Sequence, residues 1–174
     1  SRLAEVQMPA VQTRGNCIRN VTTDELAGVA VDEVVNPLVW CELIRQWSTL
    51  HPEFGYLPRK FKIAVSGSSV DRAAVKLHDI GIIAKKGNND EVGFEIFVGG
   101  GLGRTPIIGH SIRDFVTSTH LLSYLEAIMR VYNRYGRRDN KYKARIKILV
   151  KELTPSVFAE KVEEEFMKTR VSVP

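Results

Sequence analysis

The chain has 174 residues, of which 44% are apolar and 26% are charged; these values predict one globular domain with a substantial core and exclude a wholly disordered chain. Its formal net charge of +5 and isoelectric point of about 9.3 favour an anionic partner, either a polyanion or a small anionic cofactor. No apolar run approaches the roughly 20 residues that cross a bilayer, and the N-terminus lacks a basic segment followed by an apolar signal core, so we expect a cytoplasmic protein without a membrane partner.

An extended arm followed by a helix is predicted for the first part of the chain. Residues 1–35 mix turn formers with short apolar runs and show no helical pattern. Asn36 and Pro37 suit the cap and first turn of a helix, and Pro52 stops it. The apolar stripe of this amphipathic helix consists of Trp40, Leu43, Ile44, Trp47 and Leu50.

A strand that carries two lysines on one face is predicted next. From Phe61 the apolar period changes to two. The alternation places Phe61, Ile63 and Val65 towards a core and Lys60, Lys62 and Ala64 on the opposite face. Two ammonium groups on one face repel each other unless an anion lies between them or both are solvated. The pattern therefore predicts either an anion site or an edge strand with a solvated polar face.

Two further strands are predicted at residues 75–84 and 92–98. The polar stretch at 85–90 has hairpin-turn chemistry, so these strands form a hairpin. With the lysine strand, they make a sheet of at least three strands.

A glycine-rich loop follows the second of these strands. Its sequence is Gly99-Gly100-Gly101-Leu102-Gly103-Arg104, and the glycines would allow the backbone to approach a flat cofactor or an anion closely. The spacing differs from the G-x-G-x-x-G pattern, and Thr105-Pro106 interrupts the turn where a phosphate-capping helix should begin, so we discount a nucleotide site. A plain tight bend at the sheet edge is the alternative.

Three helices are predicted in the last third of the chain. The first spans residues 117–135, and Gly136 suits its C-terminal cap. The second lies near 140–153, and the third begins at Thr154-Pro155. These elements predict the α+β class, as a two-layer sandwich in which helices cover one face of a mixed or antiparallel sheet.

A dense run of positive charge accompanies these helices. Residues 134–151 hold eight basic side chains against one acid, Asp139. A basic helix around 137–151 could neutralise nucleic-acid phosphates. However, Tyr135 and Tyr142 are its only interleaved aromatics, which weakens that interpretation, and a solvated helix face accounts for about half of these residues.

The cysteines and histidines predict no metal site. Cys17 and Cys41 are the only cysteines, and one pair at this spacing is neither a zinc knuckle nor a set of cluster ligands, so we expect reduced, buried thiols. The histidines also lack the spacing of a helical metal site. They are His51, His78, His110 and His120.

Four motifs together resemble a known enzyme family. They are Thr13-Arg14-Gly15-Asn16-Cys17-Ile18-Arg19-Asn20, Leu57-Pro58-Arg59-Lys60-Phe61-Lys62-Ile63, the segment from Gly93 to Gly103, and Gly136-Arg137-Arg138-Asp139-Asn140-Lys141. Their order and spacing closely resemble the siroheme-containing nitrite and sulfite reductases over nearly the whole chain. The resemblance implies that residues 1–174 form a single siroheme-domain repeat, the first of two, within a longer enzyme that contains siroheme and a 4Fe-4S cluster.

The resemblance also implies roles for individual residues. It places Arg19, Lys60 and Lys62 on the substrate side of siroheme, where cations would stabilise the bound anion and deliver protons during six-electron reduction. It implies cofactor contacts, chiefly to the siroheme carboxylates, from Arg59, Gly100, Arg138, Asn140 and Lys143. A surface cation that packs its stem on Phe61 is an equal alternative for Arg59.

The sequence departs from the family pattern at several positions. The four cysteines that should hold the cluster are absent, so we expect the cluster ligands outside this segment and no catalysis by the isolated chain. Arg14 replaces an expected small hydroxyl residue, and Pro9 follows Met8 where close relatives more often have His, so either change could perturb the arm that carries Arg19.

Four functions remain to be distinguished, of which a sulfite reductase domain is the leading one. The lysine pair favours sulfite over nitrite, because nitrite-specific relatives tend to carry an uncharged residue at the position of Lys62. The expected partners are sulfite or nitrite, the rest of the parent enzyme, and an electron donor that is a flavoprotein or a ferredoxin. The alternatives are a ferredoxin-type nitrite reductase domain, a basic nucleic-acid-binding domain, and a regulatory domain that binds a tetrapyrrole without reducing anything.

Overall fold

The computed structural model describes residues 15–49 and 51–171, and within them it contains five strands and four α-helices. The strands are β1 (Ile18–Thr22), β2 (Phe61–Ser66), β3 (Ile80–Lys86), β4 (Val92–Val98) and β5 (His110–Thr117). The helices are α1 (Pro37–Thr49), α2 (Leu121–Tyr135), α3 (Ile146–Leu153) and α4 (Pro155–Val171). None of these helices is both long and apolar enough to cross a membrane.

The five strands form one mixed sheet in the order β1-β2-β3-β4-β5. The first three are parallel to one another, whereas β4 runs antiparallel to both β3 and β5. Core residues on one face of the sheet pack against residues from all four helices, for example Ile63 of β2 with Ile44 of α1 and Leu125 of α2 in the same buried cluster. The predicted α+β class, with helices over one face of a mixed sheet, is confirmed.

The predicted alternation of β2 is also confirmed. Phe61, Ile63 and Val65 have no exposed surface and lie in the main core, whereas Lys62 is exposed. Ala64 lies on the opposite face but is buried too, because the segment before β3 folds under the sheet and brings Val75 against it. A small second core therefore covers this end of the sheet on the face away from the helices.

Two strands were not predicted from the sequence. β1 lies within the predicted arm, and the part of that arm before Gly15 falls outside the described residues. β5 is a partly exposed edge strand, so its apolar alternation is weak, and the helix expected to begin at residue 117 begins only at Leu121, after this strand. Edge strands bury too little surface to impose a clear hydrophobic period.

Two more predicted elements begin later than expected. The strand predicted from residue 75 starts at Ile80, because Ala74 adopts a left-handed conformation and Val75–Leu77 form a 3₁₀ turn. The helix predicted from residue 140 starts at Ile146, because the Asn140 side chain accepts a hydrogen bond from the Tyr142 N–H and stabilises a turn instead. The predicted starts at Pro37 and Pro155, the strand at 92–98 and the hairpin between β3 and β4 are confirmed.

One edge of the sheet brings the predicted site segments together. The parallel strands β1, β2 and β3 begin at this edge, and because β4 is antiparallel to β3, it ends there. Arg19 lies near the start of β1, and Lys60 and Lys62 lie at the start of β2. The glycine-rich loop leaves the end of β4 and enters β5 at the same edge.

Candidate anion-binding site

A cavity of about 290 Å³ opens at this edge of the sheet. It is lined by Lys60, Lys62, Ala74, Leu77, His78, Leu102, Gly103 and Arg145. The cations come from the start of β2 and from the residue directly before α3, which are far apart in the chain. The structure thus places the predicted lysine pair in one cavity and adds an arginine to it.

Positive charge is concentrated around Lys60. Burial lowers the pKa of Lys60 below its ordinary value, and the nearby charges of Arg19, Lys62, Arg145 and Arg59 lower it further. Within the described part of the chain, Arg59, Lys60 and Lys62 form no ion pair with an acidic side chain. The Arg19 side chain donates a hydrogen bond to the Gly15 carbonyl at 3.1 Å, which holds it against the start of β1. The described cations around Lys60 outnumber their acidic partners, because only Arg145 has one, and such an excess of positive charge suits an anionic ligand.

A buried carboxylate, Asp79, lies behind the cavity. Its side chain is 1% exposed, and Oδ1 accepts a hydrogen bond from Arg145 Nη2 at 2.8 Å. Its other oxygen, Oδ2, accepts the Lys62 backbone N–H at 3.0 Å. Burial raises the pKa of Asp79, and the Arg145 charge opposes that shift.

Arg145 was not among the site residues predicted from the sequence. It was one of eight basic residues in the 134–151 segment, and no local pattern distinguishes it from its neighbours. Besides its ion pair with Asp79, it has a buried Nε atom that lacks a hydrogen-bond partner among the described residues. Because Arg145 also lines the cavity, its guanidinium is a candidate ligand-binding group.

The glycine-rich loop is held by close packing and by a buried lysine. A Cβ atom at Gly100 would lie 2.3 Å from the Lys76 carbonyl oxygen, so glycine is required there for packing, whether or not a cofactor is present. Lys147, which is 7% exposed, donates hydrogen bonds to the carbonyls of Leu102 at 3.1 Å and Thr105 at 2.7 Å. The sequence analysis also did not identify Lys147 as a site residue. Its role is to hold the glycine-rich loop, which forms one wall of the cavity.

None of the five predicted cofactor residues lines this cavity. Arg59 directly precedes Lys60, and Gly100 packs against the Lys76 carbonyl. Arg138 donates a hydrogen bond to the Tyr56 carbonyl at 2.9 Å and also bonds Asn133 near the end of α2. Asn140 stabilises the turn described above, and Lys143 is exposed. Their assignment to the cofactor stays a prediction.

The contacts of the 134–151 segment leave little support for a nucleic-acid-binding helix. Residues 137–145 precede α3 and are not helical. Several basic side chains already have protein partners: Arg134 with Glu165, Arg137 with Asp139, Arg138 with Tyr56, Arg145 with Asp79, and Lys147 with Leu102. This basic segment therefore lacks the continuous cationic helix that the interpretation required.

A larger cavity of about 460 Å³ differs in its chemistry. It is lined by Glu53, Arg130, Asn133, Arg134 and Glu165. Its acids and bases pair with one another, as in the Arg130–Glu53 contact at 3.2 Å. Its charges are internally compensated, so we assign it a structural role.

The described residues contain no group of three or more metal-ligating side chains. Cys41 is partly buried, and burial raises the pKa of its thiol to about 12, which disfavours the thiolate that binds metals. With two cysteines in the whole sequence, this chain cannot supply the four thiolates of a 4Fe-4S cluster.

Comparison with known proteins identifies the family. The model of the nitrite and sulphite reductase 4Fe-4S domain matches residues 14–170. This chain belongs to that family. The resemblance seen in the four sequence motifs is thereby confirmed, and the enzymes of this family contain siroheme and a 4Fe-4S cluster.

Individual relatives cover nearly all of this chain. Sulfite reductase (ferredoxin) 1 of Mycolicibacterium paratuberculosis is 32% identical over 170 residues, which cover 98% of this chain and 30% of the relative. The solved structure of the Mycobacterium tuberculosis NirA protein has a TM-score of 0.86 and 32% identity, and the match covers 96% of this chain and 30% of that one. The chain therefore spans about 30% of the length of these relatives.

A more distant structure shows the fold alone. Dissimilatory sulfite reductase I has a TM-score of 0.66 at 13% identity, over 92% of this chain and 55% of that chain. The mixed sheet with helices on one face is thus retained in a protein of low sequence similarity.

Proposed function

We propose that residues 1–174 are one siroheme-domain repeat of a sulfite reductase, and that this repeat supplies cations that bind sulfite and siroheme during six-electron reduction to sulfide. The observation that carries the proposal is the convergence of Lys60, Lys62 and Arg145 on one cavity, with Arg19 and Arg59 nearby. The names of the relatives at 32% identity support sulfite as the substrate.

The donor set fits siroheme, which carries several carboxylates. Arg59, Lys60 and Lys62 have no acidic partner among the described residues. Arg145 pairs with Asp79 through Nη2 and also lines the cavity. Arginine and lysine are the side chains that best bind carboxylates. Four further residues remain proposed cofactor contacts because of the family resemblance, although they do not line the cavity. They are Gly100, Arg138, Asn140 and Lys143.

The cations can also serve the reaction directly. When bound, siroheme and its cluster deliver electrons to the substrate. Lys60 and Lys62 would neutralise the substrate anion, and their ammonium groups can donate protons to oxygen atoms that leave as water. Arg19, near the start of β1, would add a third cation on the substrate side.

The remaining parts of the enzyme are proposed to lie outside this chain. The cluster thiolates must come from elsewhere, since only two cysteines are present, so we expect the isolated chain to be inactive. We further propose a cytoplasmic enzyme that receives its electrons from a ferredoxin or a flavoprotein.

The experiment that tests the proposal is product analysis with the full-length parent protein. The purified protein is supplied with a chemical reductant and either sulfite or nitrite, and sulfide and ammonia are measured while the visible spectrum reports siroheme. Sulfide as the preferred product supports the proposal. Ammonia with negligible sulfide would instead identify a nitrite reductase, and a protein without siroheme would contradict the proposal altogether.

Lys62 is expected to set the preference between the two substrates. Lys62→Asn in the parent enzyme removes one cation from the cavity, and sulfite, which carries the larger negative charge, should lose more transition-state stabilisation than nitrite. We expect kcat/KM for sulfite to fall roughly tenfold more than kcat/KM for nitrite. Equal losses on both substrates would refute this role.

Lys60 is expected to make anion binding sensitive to alkaline pH. Because its pKa is lowered, Lys60 loses its proton, and with it the charge that attracts the anion, at a pH below the ordinary lysine value of about 10.4. Sulfite affinity of the parent enzyme should therefore fall as the pH rises towards that value. Lys60→Arg, which keeps its charge, should remove this decline. Identical pH profiles for the two proteins would show that Lys60 does not titrate at the site.

A further inference from the structure

Asp79 connects three segments that form the cavity. It lies directly before β3 and contacts the lysine strand through the Lys62 N–H at 3.0 Å. It contacts the segment before α3 through Arg145 Nη2 at 2.8 Å, and its main-chain carbonyl accepts the Gly99 N–H at 3.1 Å at the start of the glycine-rich loop. A single buried residue thus links the lysine strand, through Lys62, to the arginine and to the loop.

The contact with Lys62 completes the start of β2. The register between β2 and β3 begins with Ile63 and Ile80, so the Lys62 amide lies just outside this ladder. The Asp79 carboxylate accepts this N–H in place of a strand carbonyl. Without it, a partly buried backbone donor would lack its partner, which would loosen the strand end between Lys60 and Lys62.

The negative charge of Asp79 separates two roles for this residue, one electrostatic and one geometric. A carboxylate beside Lys62 and Arg145 weakens the positive potential that attracts an anion, and its burial is itself unfavourable. A simple electrostatic role would therefore act against anion binding. The three contacts instead point to a geometric role.

We propose that Asp79 is a positioning residue, which holds the start of β2, Arg145 and the glycine-rich loop in the arrangement that directs Lys60, Lys62 and Arg145 at one anion. The identity of that anion rests on the proposed function, whereas the contacts of Asp79 do not. Asp79 is assigned no contact with substrate or cofactor.

The sign of the change in anion affinity tests this role. In the full-length parent protein, Asp79→Asn keeps one oxygen acceptor and replaces the other with an amide that repels Arg145 Nη2. We expect the Kd for sulfite, measured from the siroheme absorption spectrum, to rise about tenfold, because one of the two side-chain contacts is lost. If Asp79 acted through its charge alone, removal of that charge would lower the Kd. Tighter binding would overturn the proposal.

Two further variants separate the geometry of Asp79 from its charge and from a general effect of removing a buried carboxylate. Asp79→Glu keeps the charge but displaces the carboxylate by one methylene, so we expect weaker sulfite binding here as well; affinity equal to that of the unmodified protein would overturn the proposal. Asp24→Asn is a matched control, because Asp24 is also 1% exposed, pairs with an arginine, Arg72, and accepts a backbone N–H, that of Leu26. Asp24 does not line the cavity, and its replacement should leave the Kd unchanged.

Hydrogen exchange provides a readout that does not depend on siroheme or sulfite. In Asp79→Asn, the amide of Lys62 should exchange about tenfold faster or more, as measured on a peptide that spans the start of β2, and Asp24→Asn should leave it unchanged. Unchanged exchange in Asp79→Asn would overturn the proposal. A parent protein that binds neither siroheme nor sulfite would contradict the proposed function, and the exchange comparison would still decide the role of Asp79.

Discussion

Replacement of both Lys60 and Lys62 by glutamine is expected to reduce kcat/KM for sulfite in the parent enzyme by roughly 10²–10³-fold or more. Both ammonium groups line the same cavity, and neither is paired with an acid among the described residues. Their charges are therefore available to the substrate and are not spent on internal ion pairs. Steady-state kinetics with a chemical reductant, with siroheme content measured in parallel, would give the loss directly.

A charge-matched control separates this local effect from net charge. Lys86 and Lys168 are exposed, with side chains 59% and 67% accessible, and neither lines the cavity. The Lys86→Gln, Lys168→Gln double variant lowers the net charge by the same amount, and we expect its kcat/KM to stay within about twofold, because exposed charges at a distance are screened by salt. Comparable losses in the two double variants would show that overall charge, and not the cavity, governs the reaction.

Phe61→Ala is expected to destabilise the chain by about 3–5 kcal/mol. Phe61 has no exposed surface, its ring centroid lies 5.3 Å from that of Tyr132, and it pairs with Ile18 across the β1–β2 ladder. The substitution leaves a cavity where β2 meets both β1 and α2. Urea unfolding monitored by circular dichroism would measure the change in the free energy of unfolding.

Two comparison variants define the cause of that loss. Phe61→Leu keeps much of the buried volume, and we expect it to be clearly less destabilising than Phe61→Ala. Tyr142→Ala removes an aromatic ring that is 79% exposed and should change the free energy of unfolding by no more than about 0.5 kcal/mol. A loss below about 1 kcal/mol for Phe61→Ala would mean that β2 is not anchored through this side chain.

Strong periodic patterns were the most reliable part of the sequence-based prediction. The alternation at Phe61, Ile63 and Val65 identified both the strand and the face that packs in the main core, because successive side chains of a strand point to opposite faces. The Asn36-Pro37 and Thr154-Pro155 pairs marked helix starts correctly, because proline fixes its own backbone angle and needs no hydrogen-bond partner there. These signals act over a few residues and need no tertiary information.

The weaker predictions involved elements whose form depends on distant contacts. β5 was missed because an edge strand exposes much of its surface. Residues 140–145 were predicted as helix but form a turn, which the Asn140 side chain stabilises. In both places local propensity was a poor guide, because side-chain hydrogen bonds or a neighbouring strand decided the outcome.

The lysine pair was predictable from the sequence alone, because residues two apart on a strand share a face whatever the rest of the fold does. The four motifs were likewise sufficient to indicate the family. Only the tertiary structure showed that Arg145 and Asp79, 66 residues apart, form an ion pair behind the lysines, and that Lys147 fixes the glycine-rich loop. Contacts over such separations depend on how the strands and helices pack together, and a pattern read along the chain carries no record of that packing.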